Sequence, residues 1–557
     1  MFYKKHIPRL FIVLKKYKFY LSLEKQIYNL NMKRLLFFLI IILIHSCKKE
    51  ESKTTYLGVV DLTVNGHADA IPQFEKGLLL LHSFEYQDAR EAFYKAQEID
   101  SIMAMAYWGE AMTHNHSLWG EQNYEDGFAA VEKIKGIKEK NNLSSLEKDL
   151  LHAVEILYKP KTSKKDRDQN YMQYMQDLYK KYPDNHEIAA FYSLSLLGSV
   201  AEGRNDSIYG LGANIANKII KDNAKHPGAL HYLIHSYDDP DHAHLALEAA
   251  NSYAKVAPDA SHALHMPSHI YVALGMWDRV IASNIDSYQA SVNRMESRDL
   301  DNDARGYHAY HWLEYGYLQK GEIQVAEKMV FDMQNYCNDK PSARARAHLM
   351  FLKGTFLAET NLWDNAVADI DVDVSNLNIA VQSQNHFIDG MLAYKTNNKA
   401  GLDTIIESMS SNIKKESLLV DNIKSGFTLC ASASRSTPDQ KDIKTSEIMM
   451  TQLKALKAWM NNDLENAEKL LKESVYLQNQ LSYSYGPPFI QKPTQELYAE
   501  FLIEQNRPQE AIELYESSLK KGTKRLAALK GIKKSAVLLG DDSLIKKIDL
   551  ELSKIYD

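Results

Sequence analysis

Apolar residues are distributed in two unlike ways along this 557-residue chain. Near the N-terminus they form one unbroken run, Leu35 to Ile44 (LLFFLIIILI). From about residue 70 onward they come in broken groups, with small and large side chains at fixed offsets. Gly77, Leu80, Ala89, Phe93 and Ala96 set the pattern, and Tyr107 and Ala111 renew it one period of 34 residues later. Tyr271, Gly275, Trp277 and Asp278 spell Y-x-x-x-G-x-W-D, and Gly354, Leu357, Trp363, Asp364 and Ala366 give a second such turn. Ala455, Ala458, Ala467 and Leu471 follow, then Ala499, Leu502, Ala511 and Tyr515. This spacing predicts repeated helix pairs in which small residues let two helices approach and larger ones fill the gaps between them. Counted within each unit, Ala89, Ala366 and Ala511 fall on position 20, where the second helix touches the first.

The arrangement resembles the tetratricopeptide repeat, and the resemblance implies an all-α fold, a right-handed α-solenoid over residues 70–550. Two stretches break the register. Residues 120–170 carry charged segments (Lys133 to Lys140, Lys159 to Arg167) and are expected to form a long surface loop plus helices; the polar residues 292–306 read as an insertion between units. Gly486-Pro487-Pro488 and Pro493 mark a sharp extended connection before the last repeats. With only 24 Gly and 14 Pro, the composition suits helices joined by short turns.

The N-terminal run is preceded by Met32-Lys33-Arg34 and ends in Ile44-His45-Ser46-Cys47. Ten apolar residues are half of what a spanning helix needs, so residues 32–47 read as a secretory signal. LIHSC resembles the lipobox of bacterial lipoproteins, which implies acylation of Cys47 and an outer-membrane lipid anchor. His45 departs from the usual small residue there. Lys48-Lys49-Glu50-Glu51 resembles the signal that carries Bacteroidota-type lipoproteins to the cell surface. Residues 1–31 are expected to be an upstream extension ahead of a true start at Met32, and residues 48–69 a linker. Besides Cys47 only Cys337 and Cys430 are present, which excludes a disulfide framework.

Residues 1–47 hold nine Lys/Arg against one acid, so the remaining 57 basic and 71 acidic side chains leave the body at −14. That balance argues against nucleic acid as a partner. No P-loop, dinucleotide fingerprint, nucleophile elbow or CxxC occurs, which argues against the common cofactor enzymes. The strings GLLLLHSFEYQDAREAFYKAQEID, AYWGEAMTHNHSLW, HYLIH, HALHMPSHIYVALGMWD and YGPPFIQKP resemble a bacterial family of tetratricopeptide-repeat lipoproteins over roughly residues 70–540. The resemblance implies a non-catalytic binding or scaffold protein, accessory to polysaccharide capture or degradation, taking a protein or an oligosaccharide in its concave groove.

Candidate chemistry is concentrated in histidine. Ten of the 20 histidines lie between His226 and His311. With Gly275 at position 15, His262, His265 and His269 occupy positions 2, 5 and 9 of a first helix. His231 and His235 hold positions 5 and 9 one unit earlier, 34 residues before His265 and His269. His308 and His311 take positions 2 and 5 in the next unit. These positions line the concave groove, on one face of each helix. Three readings follow: imidazoles bonded to neighbouring helices, a polar groove for a peptide, anionic or sugar-like ligand, or a metal site. For the last, the two HxxxH pairs His231/His235 and His265/His269 would suit zinc, with a metal-dependent hydrolase as the alternative function. Asp238, Asp239 and Glu314 are the candidate carboxylates for such a reaction. A second group, Trp108, Glu110, His114, His116 and Trp119, reads as core packing or as a platform for a sugar ring.

Overall fold

The structure, a computed structural model, describes residues 56–138, 142–200, 203–418, 420 and 438–556. The signal, the lipidation candidate Cys47 and Cys430 lie outside them. Helical hairpins follow one another along the chain: α1 Ile71–His82 with α2 Tyr86–Ile99, α3 Ala104–Met112 with α4 Tyr124–Lys138, α5 Ser145–Leu157 with α6 Lys164–Lys181, and α7 His186–Gly198 with α8 Asp206–Asp222. The middle units are α9 Pro227–Ser236 with α10 Leu247–Val256, a split α11 Ser261–His265 and α12 Pro267–Ala273 with α13 Trp277–Ser297, and α14 Tyr307–Lys320 with α15 Ile323–Asp339. Helix α16 Ala343–Thr360 stands against a 3-10 turn at Ala366–Asp369. Four hairpins complete the chain: α17 Ile379–Lys395 with α18 Lys399–Ser417, α19 Gln440–Met460 with α20 Leu464–Asn479, α21 Thr494–Glu504 with α22 Pro508–Lys521, and α23 Leu526–Leu539 with α24 Asp542–Tyr556. This is the α-solenoid of tetratricopeptide-like repeats. No described helix is long and apolar enough to cross a membrane.

Local sequence explains the units. The tight turn inside a hairpin needs one residue in the left-handed region, and Gly275, Gly321, Asn397, Asn462, Asn506 and Gly540 supply it at φ between +54° and +68° apart from Gly321 at +78°. These are the residue types that pay least for that conformation. The first and third hairpins differ, with Phe84 and Lys161 each at φ +56°. Inside the units the spacing works as read: a Cβ on Gly77 or Gly109 would come within 2.7 or 2.3 Å of the Phe93 ring, so both glycines make room for that wedge. Ala89 and Ala511 are fully buried. Ala366 is not, because its segment turns through a 3-10 element instead of continuing as a second helix, and Val367 is buried there. Ala89→Leu and Ala511→Leu should each lower stability by about 1–3 kcal/mol through overpacking, while Ala366→Leu should be nearly neutral in thermal melting.

Much of 120–170 is helix, with Lys133 of α4 held to Glu110 at 3.1 Å. Residues 292–297 prolong α13, and the chain then turns through a 3-10 element at Asn302–Ala304. The prolonged end matters for shape: Arg294 binds Asp88 at 3.0–3.1 Å and Arg298 binds Glu91 at 2.8 Å, both on α2. Residues 56–66, read as linker, run extended and bury Leu57, Leu62 and Val64. The solenoid therefore curls until its first hairpin rests on its middle units.

Candidate metal centre

The histidines of the middle units do not line an open groove. His231, His235, His265 and His269 are 0–5% exposed, and His262, His308 and His311 are half-buried. Two covers account for this correction. From the first hairpin, Phe84 places its ring 4.3 Å from His231 and 5.7 Å from His262. From the far end, Tyr485 of the extended connection lies 4.6 Å from His269. Next to it, Gly486 has φ +89° and a backbone so close to Trp312 that a Cβ would stand 2.3 Å from the indole. Phe84 takes the left-handed backbone that most of the other turns give to Gly or Asn, and its ring stands over the imidazoles.

Under these covers the rings form two triads. One ligand-type atom each from His231, His235 and His262 lies within 4.8 Å of the others, and the same holds for His265, His269 and His308. Each triad takes positions 5 and 9 of one unit and position 2 of the next. The two HxxxH pairs thus do not form one four-histidine site; each is completed by the histidine that opens the following helix. His311 belongs to neither triad: its Nε2 lies 2.9 Å from Thr355 Oγ1.

The hydrogen bonds determine which edge of each ring faces the centre. His231 Nδ1 lies 2.8 Å from the His82 carbonyl, which can only accept, so Nδ1 carries the proton and Nε2 holds the lone pair. His235 Nδ1 donates to Asp238 Oδ2 at 3.2 Å, with the same consequence. The Nε2 atoms of His231, His235 and His262 are buried without a partner. In the second triad, Asn284 Nδ2 donates to the Val280 carbonyl at 2.8 Å, which turns its Oδ1 toward His265 Nδ1 at 2.7 Å. His265 Nε2 is therefore a lone pair as well, and His269 Nε2 stands 3.2 Å from it. His269 Nδ1 lies 3.4 Å from the same Asp238 Oδ2. Two lone pairs facing each other repel unless a cation or proton lies between them. Ligands about 2.0–2.1 Å from a tetrahedral ion stand about 3.3 Å apart.

Electrostatics favour ligation by neutral imidazole. Burial pushes His231, His262 and His308 well below the ordinary histidine value, assisted by neighbouring imidazoles. His265 falls to about 3, again chiefly through burial. Asp238 is the shared anion: burial would raise its pKa, but hydrogen bonds from His235 and His269 outweigh it and bring it to about 2. Arg204 lies 3.4 Å from Asp238 and 2.8 Å from Asp239, which also meets His242 at 2.8 Å. Glu314 belongs to neither triad's ligand set, and burial together with Glu359 pushes its pKa well up. A third cluster, His82 and His226 around Glu187 at 2.7 and 3.2 Å, ties α1, α7 and the start of α9 together.

The early aromatic cluster divides. Trp108 is core, packed on Phe74 and Phe191. Glu110 is buried against Lys133, and burial takes the buried His114 to about 4. Trp119 edges onto Phe84 and His262, and His116 stacks on Tyr86 at 4.0 Å. Phe84, Asn284, Trp312 and Tyr485 were not singled out from sequence; only Gly486-Pro487-Pro488 marked the segment that carries Tyr485.

No family model matches the chain, and no curated protein matches it. Among solved structures it is similar to yeast Tom70 (13% identity, 86% of this chain and 92% of that one, TM-score 0.31). It is also similar to the tetratricopeptide-repeat domain of P58(IPK) (12%, 85% and 99%, TM-score 0.19). A third is a human IFIT1 dimer with m7Gppp-AAAA (10%, 88% and 96%, TM-score 0.34). At these identities and scores none of the three speaks to what this chain binds.

Proposed function

We propose that this chain is a non-catalytic metal-binding protein built on a helical-repeat scaffold, holding one first-row transition ion in each histidine triad. The observation that carries the reading is the convergence of the buried Nε2 atoms of His231, His235, His265 and His269, whose opposite Nδ1 edges are already committed to a carbonyl, a carboxylate or an amide. That is the outer-partner arrangement of metal-bound histidine. Neutral imidazoles suit zinc, copper, nickel or iron, and three of them leave a coordination position for water or a ligand. A hydrolase would need an ionised carboxylate beside the ion to act as base, whereas Asp238 and Asp239 are both engaged by cations and imidazoles and Glu314 belongs to neither triad's ligand set and is held protonated by burial. In the same reading the protein is exported, anchored through a lipid on Cys47 to the outer membrane, and serves polysaccharide capture or degradation from the cell surface.

The test is elemental analysis of the full chain, purified without a histidine tag or chelator, then incubated with zinc, copper, nickel and iron salts and passed over a sizing column. Up to two equivalents of one ion should remain bound. Retention of none of the four would end the reading.

A further inference from the structure

Between α14, α16, α17 and the segment Tyr485–Gln491 lies a partly open pocket. It borders the second triad through His308 but uses other groups. Among the described residues no Asp, Glu, Lys or Arg lines it. Its remaining imidazoles, His311 and His348, are each brought to about 3 chiefly by burial, so the walls carry no charge. A charged ligand would enter uncompensated.

Two amides mark what the cavity is missing. Gln384 and Gln491 are 1% and 2% exposed. Gln384 Nε2 donates to the Phe489 carbonyl at 2.7 Å, which leaves its Oε1 as an unpartnered acceptor. Among the described residues Gln491 has no partner at either Oε1 or Nε2. This amide is seated directly over Gly354, where a Cβ would meet it at 1.9 Å. Buried polar groups are normally satisfied, and an amide with both ends open suits a partner that both donates and accepts. Hydroxyl groups do both. The faces of Trp312, Phe351 and Phe489 supply apolar walls against which the C–H side of a ring can lie.

We infer that this cavity binds an uncharged polyhydroxylated ring, a neutral sugar residue. The inference requires no ion in either triad, so it stands or falls separately from the metal reading. The experiment is saturation-transfer NMR on the full chain with glucose, galactose, mannose and N-acetylglucosamine. Glucuronate is the charged comparator and N-acetylalanine amide the peptide comparator. At least one neutral sugar should bind, and glucuronate about tenfold or more weakly. Gln491→Met and Gln384→Met should each weaken the sugar about tenfold or more. Gln491→Met should lower neither the melting temperature nor the metal content, because it removes an amide without a hydrogen-bond partner among the described residues; Gln384→Met also loses the bond to the Phe489 carbonyl and should melt lower while keeping its metal content. The inference is overturned if no neutral sugar binds, if both variants bind it like the parent, or if the peptide comparator alone binds.

Discussion

Replacing His262 by Phe should abolish tight metal binding at the first triad while leaving the metal-free protein at least as stable as the parent. His262 presents an unpartnered buried Nε2 toward His231 and His235, and its ring is packed by Phe84 and Trp119. A phenyl ring keeps those contacts and removes the orphan nitrogen. Losing one of three protein ligands should weaken zinc by more than the roughly 10–100-fold typical of removing an outer partner. At zinc equal to 100 times the parental Kd, bound metal stabilises the parent by about 2.7 kcal/mol; a variant 100-fold weaker would gain about 0.4 kcal/mol. Zinc titration followed by thermal melting reads this difference, and Asn284→Leu serves as the companion. It unfixes His265 and should cost about 10–100-fold at the second triad alone. If His262→Phe takes up zinc as the parent does, the first triad is not a metal site.

The repeat itself was legible because a 34-residue period constrains many positions at once. Gly77, Ala89, Phe93 and Ala511 could each be placed by their neighbours' offsets, and the structure seats them in the unit core. Ala366 failed for a physical reason: after Asn361 the chain lacks a second helix, and the small residue sits exposed in a 3-10 turn. Pattern reading alone does not see a missing helix when its turn signature is intact.

The candidate site was legible along the chain but not across it. Positions 5 and 9 followed from register, so His231, His235, His265 and His269 could be grouped before any coordinates. That each pair would be completed by position 2 of the next unit depends on how adjacent units stack. Burial depended on longer-range closure still. Phe84 reaches His231 from about 150 residues earlier because Arg294 and Arg298, in the stretch read as an insertion, hold α2 by Asp88 and Glu91. Tyr485 arrives from more than 200 residues later than His269. An ideal solenoid contacts only nearest neighbours, and this one departs from that rule where the histidines lie. Alanine at these positions would therefore remove buried packing, which an open groove would have tolerated.

The same closure makes Arg525 the residue whose loss should cost the most stability. It opens α23 with its guanidinium 2% exposed. Its Nε and Nη2 donate to the two oxygens of Glu496 at 2.5 and 3.1 Å, and Nη1 donates to Glu359 and, at 3.2 Å, to Tyr315. Ser518 Oγ donates to Glu496 at 2.9 Å, and Gln319 Nε2 to Glu359 at 3.0 Å. One cation thus ties α14, α16, α21 and α22 together around two buried carboxylates. Arg525→Met keeps most of the stem but takes the guanidinium from both buried acids, leaving Glu496 with Lys492 and Ser518 and Glu359 with Gln319, and breaking a buried pair in this way costs about 3–5 kcal/mol. The loss should depend on pH. Burial would raise Glu496, yet Arg525 outweighs it and holds that carboxyl below the ordinary range, whereas burial keeps Glu359 raised. A depressed carboxyl contributes stability above its unfolded value of about 4.3. That contribution is lost as pH falls through the folded value. The gap between parent and Arg525→Met should accordingly be full near neutrality and narrow once pH drops below about 4.3. Urea unfolding at pH 7 and at pH 4 measures both quantities. Equal stability of the two proteins at pH 7 would show that the C-terminal hairpins are held to the middle units by packing alone.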